Sequence, residues 1–170
     1  MNRVYILGTR HDLQKAKREP QENAAFEEFI AETCKALQIR AIVEEMSREA
    51  LGETDRSICL QVAHALALTH LYCDPDTQGR KQLGIAVDDN ELRFRAWYEN
   101  WPLEALTRVI REEHAKREKI WSDEIRRLDV WPVLFVCGAN HATPFAALLA
   151  KHGVECELIA VDWSPTPSNQ

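Results

Sequence analysis

The chain has 170 residues, a formal net charge of -6, and hydrophobic and charged fractions of 45% and 28%. That length suits one domain with a real core, and the composition is ordinary for a globular protein. The acidic balance and the lack of any basic block weigh against nucleic acid or anionic membrane as partner, and no segment approaches the ~20 apolar residues of a membrane span.

Val4-Tyr5-Ile6-Leu7 is an apolar run that ends in Gly8-Thr9-Arg10-His11. Such a run, closed by glycine, reads as a buried strand of a parallel sheet, with glycine allowing a sharp turn at its carboxyl end. A polar stretch follows as far as Pro20 and reads as a mobile loop over the strand ends. From Gln21 the apolar residues Phe26, Phe29, Ile30, Cys34 and Leu37 recur at helical spacing, with Pro20 suited to the first turn. Ile39-Arg40-Ala41-Ile42-Val43-Glu44 is a second strand ending in acid, and this β-α-β order implies a parallel unit. Ser57 to Leu68 reads as a helix and His70 to Asp74 as a third strand, stopped by the turn Asp74-Pro75-Asp76. Residues 77–100 carry mixed signals, with Gly79-Arg80-Lys81 either a loop over the site or a surface turn.

The longest helix runs from about Pro102 to Leu128, and its apolar stripe carries His114 and Arg117 among leucine, isoleucine and Trp121. Val133-Leu134-Phe135-Val136 is a fourth strand leading into Cys137-Gly138-Ala139-Asn140-His141, the second Gly-x-x-His of the chain. A helix over Phe145 to His152 and a last strand over Val154 to Val161 complete an α/β fold with a mainly parallel sheet flanked by helices. Residues 1–163 form one α/β domain in this reading, and 164–170 a flexible Pro/Ser-rich tail. The cysteines Cys34, Cys59, Cys73, Cys137 and Cys156 are spread out, form no Cys-x-x-Cys pair and suit a reducing cytoplasm. Cys34 and Cys137 read as small core residues.

Both Gly-x-x-His histidines stand just past strand ends on one sheet edge, where open α/β sheets place their sites. Glu44 ends the second strand on that edge, with Glu45 as the alternative register, and a carboxylate there needs a partner or a cation. Arg117 is the side chain that pairs with a carboxylate or binds an anionic or carbonyl group. Asp74 closes the third strand similarly but reads first as a turn former. His114 joins the site or is a satisfied core histidine; His64 and His70 read as structural, and His152 as a helix-end histidine. Arg10, Arg80 and Lys81 are candidates for the mouth of the site, and Trp97, Trp101 and Trp121 for a core or an interface.

Gly8-Thr9-Arg10-His11, the strand-end Glu44, Arg117-Glu118-Lys119-Ile120-Trp121 and Cys137-Gly138-Ala139-Asn140-His141 together resemble the TraB/PrgY/GumN–TIKI group of the erythromycin esterase/ChaN-like superfamily. The resemblance spans nearly the whole chain. It implies an α/β fold with a site of His11, Glu44, Arg117 and His141 at the strand ends. In that superfamily TIKI-type members are regarded as metal-dependent proteases, erythromycin esterases as histidine-based hydrolases and ChaN-like members as haem binders. The chain is shorter than most members and lacks the membrane or secretion signals of the TIKI type.

Two functions follow as expectations. The first is a hydrolase of a small-molecule or peptide substrate. A divalent metal (zinc, manganese or iron) would be held by His11, Glu44 and His141, or one histidine would act as general base without metal. The second is a non-catalytic module that binds haem, a metal or a nucleotide in the same pocket.

Overall fold

A computed structural model describes residues 2–52 and 56–165. The predicted flexible tail therefore lies mostly outside the described residues. Five strands, β1 (Arg3–Thr9), β2 (Ala41–Glu44), β3 (Thr69–Tyr72), β4 (Val133–Gly138) and β5 (Glu155–Trp163), form one sheet in the order β3-β2-β4-β1-β5. Every pairing is parallel, as the β-α-β pattern predicts. The inner strands β1, β2 and β4 are covered on both faces, which is why they read as unbroken apolar runs. The edge strands are more exposed.

The period of two along each strand sorts the core into two layers. Val4, Ile6, Val43, Val133 and Phe135 face one side and pack with Trp121 and Ile125 of α7 (Leu103–Leu128) and Phe145 and Leu149 of α8 (Ala139–Lys151). Tyr5, Leu7, Ile42, Leu134 and Val136 face the other side, against Phe26, Ile30 and Cys34 of α2 (Pro20–Ala36) and Ile58, Cys59 and Val62 of α4 (Ile58–Ala65). Pro20 occupies the first turn of α2, as read from the sequence. Cys34 and Cys137 are core residues; burial pushes the Cys34 thiol up to about 12 and holds that of Cys137 well above its ordinary value.

Several elements differ from the sequence reading. The start of the expected loop after His11 is a single helical turn, α1 (His11–Gln14), closed by the Leu13 and Gln14 N–H groups on the Arg10 carbonyl. A further short turn is α3 (Arg48–Leu51), capped by Ser47. The unassigned region 77–100 holds α5 (Thr77–Gln82) and α6 (Asp89–Tyr98), each capped by an aspartate, Asp76 and Asp88. The helix expected from Phe145 begins six residues earlier, at Ala139, with Pro144 inside it. The helix runs through Pro144, which gives up one intrahelical bond, and the segment Ala139-Asn140-His141 is the first turn of α8.

Neither motif glycine provides a left-handed turn. Gly8 is inside β1, and Gly138 ends β4 with φ -62° and ψ 144°, values open to any residue. Both are required by close approach. A Cβ on Gly8 would stand 1.9 Å from the Val161 carbonyl oxygen of β5, and one on Gly138 would stand 2.8 Å from His11 Nε2. Among the described residues, no helix is long and apolar enough to cross a membrane.

Candidate functional site

β1, β2 and β4 are neighbours, and the chain runs in opposite directions across the sheet from β1 to β2 and from β4 to β5. The carboxyl ends of these strands therefore meet at a switch point, the usual place for a site in an open α/β sheet. A cavity of about 530 Å³ opens there. His11, Glu45, Asp74, His114, Arg117 and His141 all line it, and the chain ends that supply the two Gly-x-x-His motifs are joined in one wall.

Glu45, one residue beyond β2, is at the centre. Its Oε1 accepts from Arg117 Nη2 at 2.5 Å, and its Oε2 accepts the N–H of Gly138, the last residue of β4, at 2.7 Å. His11 Nε2 is 3.7 Å and His141 Nε2 3.5 Å from the same Oε1. Both imidazoles are oriented from behind. His11 Nδ1 is 2.9 Å from Gln14 Oε1, and His141 Nδ1 is 2.9 Å from Glu118 Oε1. These oxygens only accept, so each Nδ1 donates and each Nε2 is left facing the carboxylate and the cavity. The two differ in access: the His11 side chain is 46% exposed and that of His141 5%.

Glu44, the strand-end acid expected in the site, lies on the other face. Successive strand residues alternate, so Glu44 follows Ile42 toward α4 while Glu45 follows Val43 toward α7. Fully buried, Glu44 accepts from Ser57 Oγ, from His70 Nε2 at 2.7 Å and from Gln14 Nε2 at 3.4 Å. The expected set of His11, Glu44 and His141 is thus not assembled. His70, read as structural, is the partner that makes the Glu44 carboxylate tolerable there.

Arg117 does not reach out for a ligand. Its Nη2 is on Glu45 and its Nε donates to Asp74 Oδ1 at 3.0 Å, while the guanidinium covers the Trp121 ring at 4.9 Å. Burial opposes its charge, but Glu45 and then Asp74 outweigh that and raise its pKa. Asp74 is a member of this network and not only the turn residue; Asp76 caps α5 instead. It also accepts from Trp121 Nε1 at 3.0 Å and from Arg80. Burial alone would raise the Asp74 carboxyl; Arg117 and Arg80 overcome it and hold it below the usual carboxylate range.

Glu118 is set in a similar way. Burial works against its charge, but the hydrogen bond from His141 and the paired donors of Arg111, at 2.8 and 2.5 Å, keep its pKa low. Arg111 and Glu118 are seven residues apart on α7, which puts them on one helix face. His114 packs its ring 4.4 Å from that of His141 and holds Asp89 Oδ1 at 3.0 Å, so it is both a satisfied histidine and a wall of the cavity. Burial, then His141, lowers its pKa. His152 bonds Ser122 Oγ at 3.1 Å, away from the site.

Arg10 and Arg80 both line the cavity, Arg10 paired with Asp12 at 2.9 Å and Arg80 with Asp74, while Lys81 is exposed elsewhere. Lys15, in a charged stretch that reads from the sequence as a solvated face, lines the cavity, and its pKa is lowered by partial burial and by Lys17.

Among the described residues, no group of three or more His, Cys, Asp or Glu side chains is arranged to hold a metal ion. Both Glu45 oxygens already accept from protein donors, and a fixed guanidinium sits 2.5 Å from the oxygen that both imidazoles face. No family model, no curated protein and no solved structure matches the chain.

Proposed function

We propose that the protein is a hydrolase that uses His11, Glu45 and His141 as acid–base groups. The observation that carries this reading is the pair of imidazole Nε2 atoms, 3.7 and 3.5 Å from one carboxylate oxygen, each with its Nδ1 already committed to an acceptor. A cavity of about 530 Å³ suits a small molecule or a short peptide segment.

His11, the more exposed imidazole, is the general base. Its Nε2 takes a proton from a water molecule, and that water attacks the carbonyl carbon of an ester or amide. Glu45 balances the imidazolium that forms. His141, with its Nδ1–H held by Glu118, enters the step protonated at Nε2 and gives that proton to the leaving group as the carbonyl–heteroatom bond breaks, and the proton gained by His11 restores it. Arg117 positions Glu45. The resemblance to the TraB/PrgY/GumN–TIKI group supports the same residues, with Glu45 in the place first given to Glu44.

The test is turnover of a panel of chromogenic esters, amides and peptides by the wild type and by His11→Ala. Loss of about 100-fold or more in a variant that melts like the wild type supports the proposal. Full activity in His11→Ala contradicts it. Elemental analysis of wild type, His11→Ala and His141→Ala separates the metal-dependent form: stoichiometric metal lost in both variants moves the chemistry to a metal-activated water.

A further inference from the structure

We propose that the protein forms a symmetric dimer through α6 and the first turns of α7. The buried residues of α7 begin at His114, so its first turns do not contribute to the core, and α7 packs against α6. On the outer side of that helical pair, Phe94, Trp97, Tyr98 and Leu103 are 67, 73, 74 and 72% exposed. Three of them follow one another at i, i+3 and i+4, which places them on one face of α6, and the Phe94 and Trp97 rings are 6.0 Å apart.

The size of the patch suits a second copy. Aromatic side chains offer about 150–250 Å² each, so these exposed rings with Leu103 present on the order of 500 Å² of apolar surface. That is at the upper end for a monomer's largest patch. A standard interface takes about 800 Å² from each partner, of which about 60% is apolar, or roughly 480 Å². The rim suits it as well. Exposed Arg93, Arg95 and Arg108 lie among Glu99, Glu104 and Glu112, with Arg95–Glu99 and Arg108–Glu112 paired along their own helices, so the rim carries both signs in equal number and does not repel a second copy across a two-fold axis. An anionic membrane would favour a basic rim, and this one is mixed.

The dimer would bear on the site. Leu92 and Asn90 of α6, with its cap Asp88, form part of the cavity wall, and Asp89 is held by His114. A partner seated on the outer face of α6 fixes the wall on its inner face.

The test is sedimentation equilibrium of the full chain at increasing concentration, with Trp97→Glu and Leu103→Glu as two variants. Both positions are exposed, and circular dichroism checks that each variant keeps the fold. The expected result is a wild-type mass approaching twice the 19.5 kDa of the chain, with association weakened about 30-fold or more in each variant, toward the monomer. A wild type that stays monomeric overturns the proposal. A dimer that survives both substitutions also overturns it and moves the interface elsewhere, for example to the open edge of β5 with its exposed Leu158 and Val161. A monomer that co-sediments with phosphatidylglycerol vesicles overturns it in favour of a membrane.

Discussion

The two motif glycines look equivalent in the sequence, and alanine should separate them. At position 8 a methyl group would lie 1.9 Å from the Val161 carbonyl oxygen and 2.7 Å from its carbon. Relaxed carbon–oxygen contact is about 3.3 Å, so β1 and β5 would have to part by about 1.4 Å. That shift would weaken two ladder hydrogen bonds at about 1 kcal/mol each and disturb packing at a further 1–2 kcal/mol. A loss of about 3–4 kcal/mol in a chain of this size lowers Tm by roughly 10 °C. At position 138 the methyl meets His11 Nε2 at 2.8 Å and Glu45 Oε2 at 3.4 Å, but the His11 side chain is 46% exposed and can swing aside. The backbone there accepts alanine, which returns about 0.4–1 kcal/mol through the unfolded state. Tm should therefore change by less than about 3 °C, while a displaced imidazole costs about 100-fold in any activity that uses it. Thermal melts with imidazole NMR of both variants make the comparison. Equal melting temperatures, or unchanged His11 resonances in Gly138→Ala, would refute the reasoning.

Removing the cation that Glu45 and Asp74 share should be costly: Arg117→Ala leaves two buried carboxylates facing each other, and a loss of about 3–5 kcal/mol in chemical denaturation is expected. Gln14→Ala removes a fully buried side chain whose Nε2 also donates to Glu44 and the Val136 carbonyl, so a loss of about 1–3 kcal/mol is expected, and it releases His11 Nδ1, so that imidazole nitrogen shifts report mixed tautomers; a retained single tautomer would remove Gln14 from the orienting role. Stability should fall on acidification in two stages. The folded pKa of His114 is depressed below 6.5, so the unfolded chain takes its proton first, and stability present above about pH 6.5 declines as pH falls toward the folded value. Asp74 and Glu118, also depressed, add a second loss below about pH 4. Tm measured against pH checks this, with His114→Gln expected to flatten the first stage; a Tm that rises from pH 7 to 5 would contradict it.

Much of the fold was legible because each inner strand is an uninterrupted apolar run and each main helix has a clear period. The sheet edge that carries the histidines followed from strand ends alone. The choice between Glu44 and Glu45 did not. Alternation puts them on opposite faces, but only the packing of α7 tells which face holds Arg117. Asp74 was hidden by Pro75, since Asp-Pro is a strong turn signal whatever else the aspartate does. Gln14 could have been found from its spacing, three residues after His11, had the segment been read as a helical turn. The start of α8 was masked by Pro144, and the elements within 77–100 by polar surfaces with little amphipathic contrast.

The central claim is that one carboxylate, Glu45, serves the histidines from both ends of the chain. The direct test is a long-range proton–nitrogen imidazole spectrum of the wild type, Glu45→Gln and Glu44→Gln. The account predicts that Glu45→Gln moves the Nε2 resonances of His11 and His141 together, while Glu44→Gln acts mainly on His70. Histidine resonances at positions 11 and 141 that ignore Glu45→Gln would contradict it.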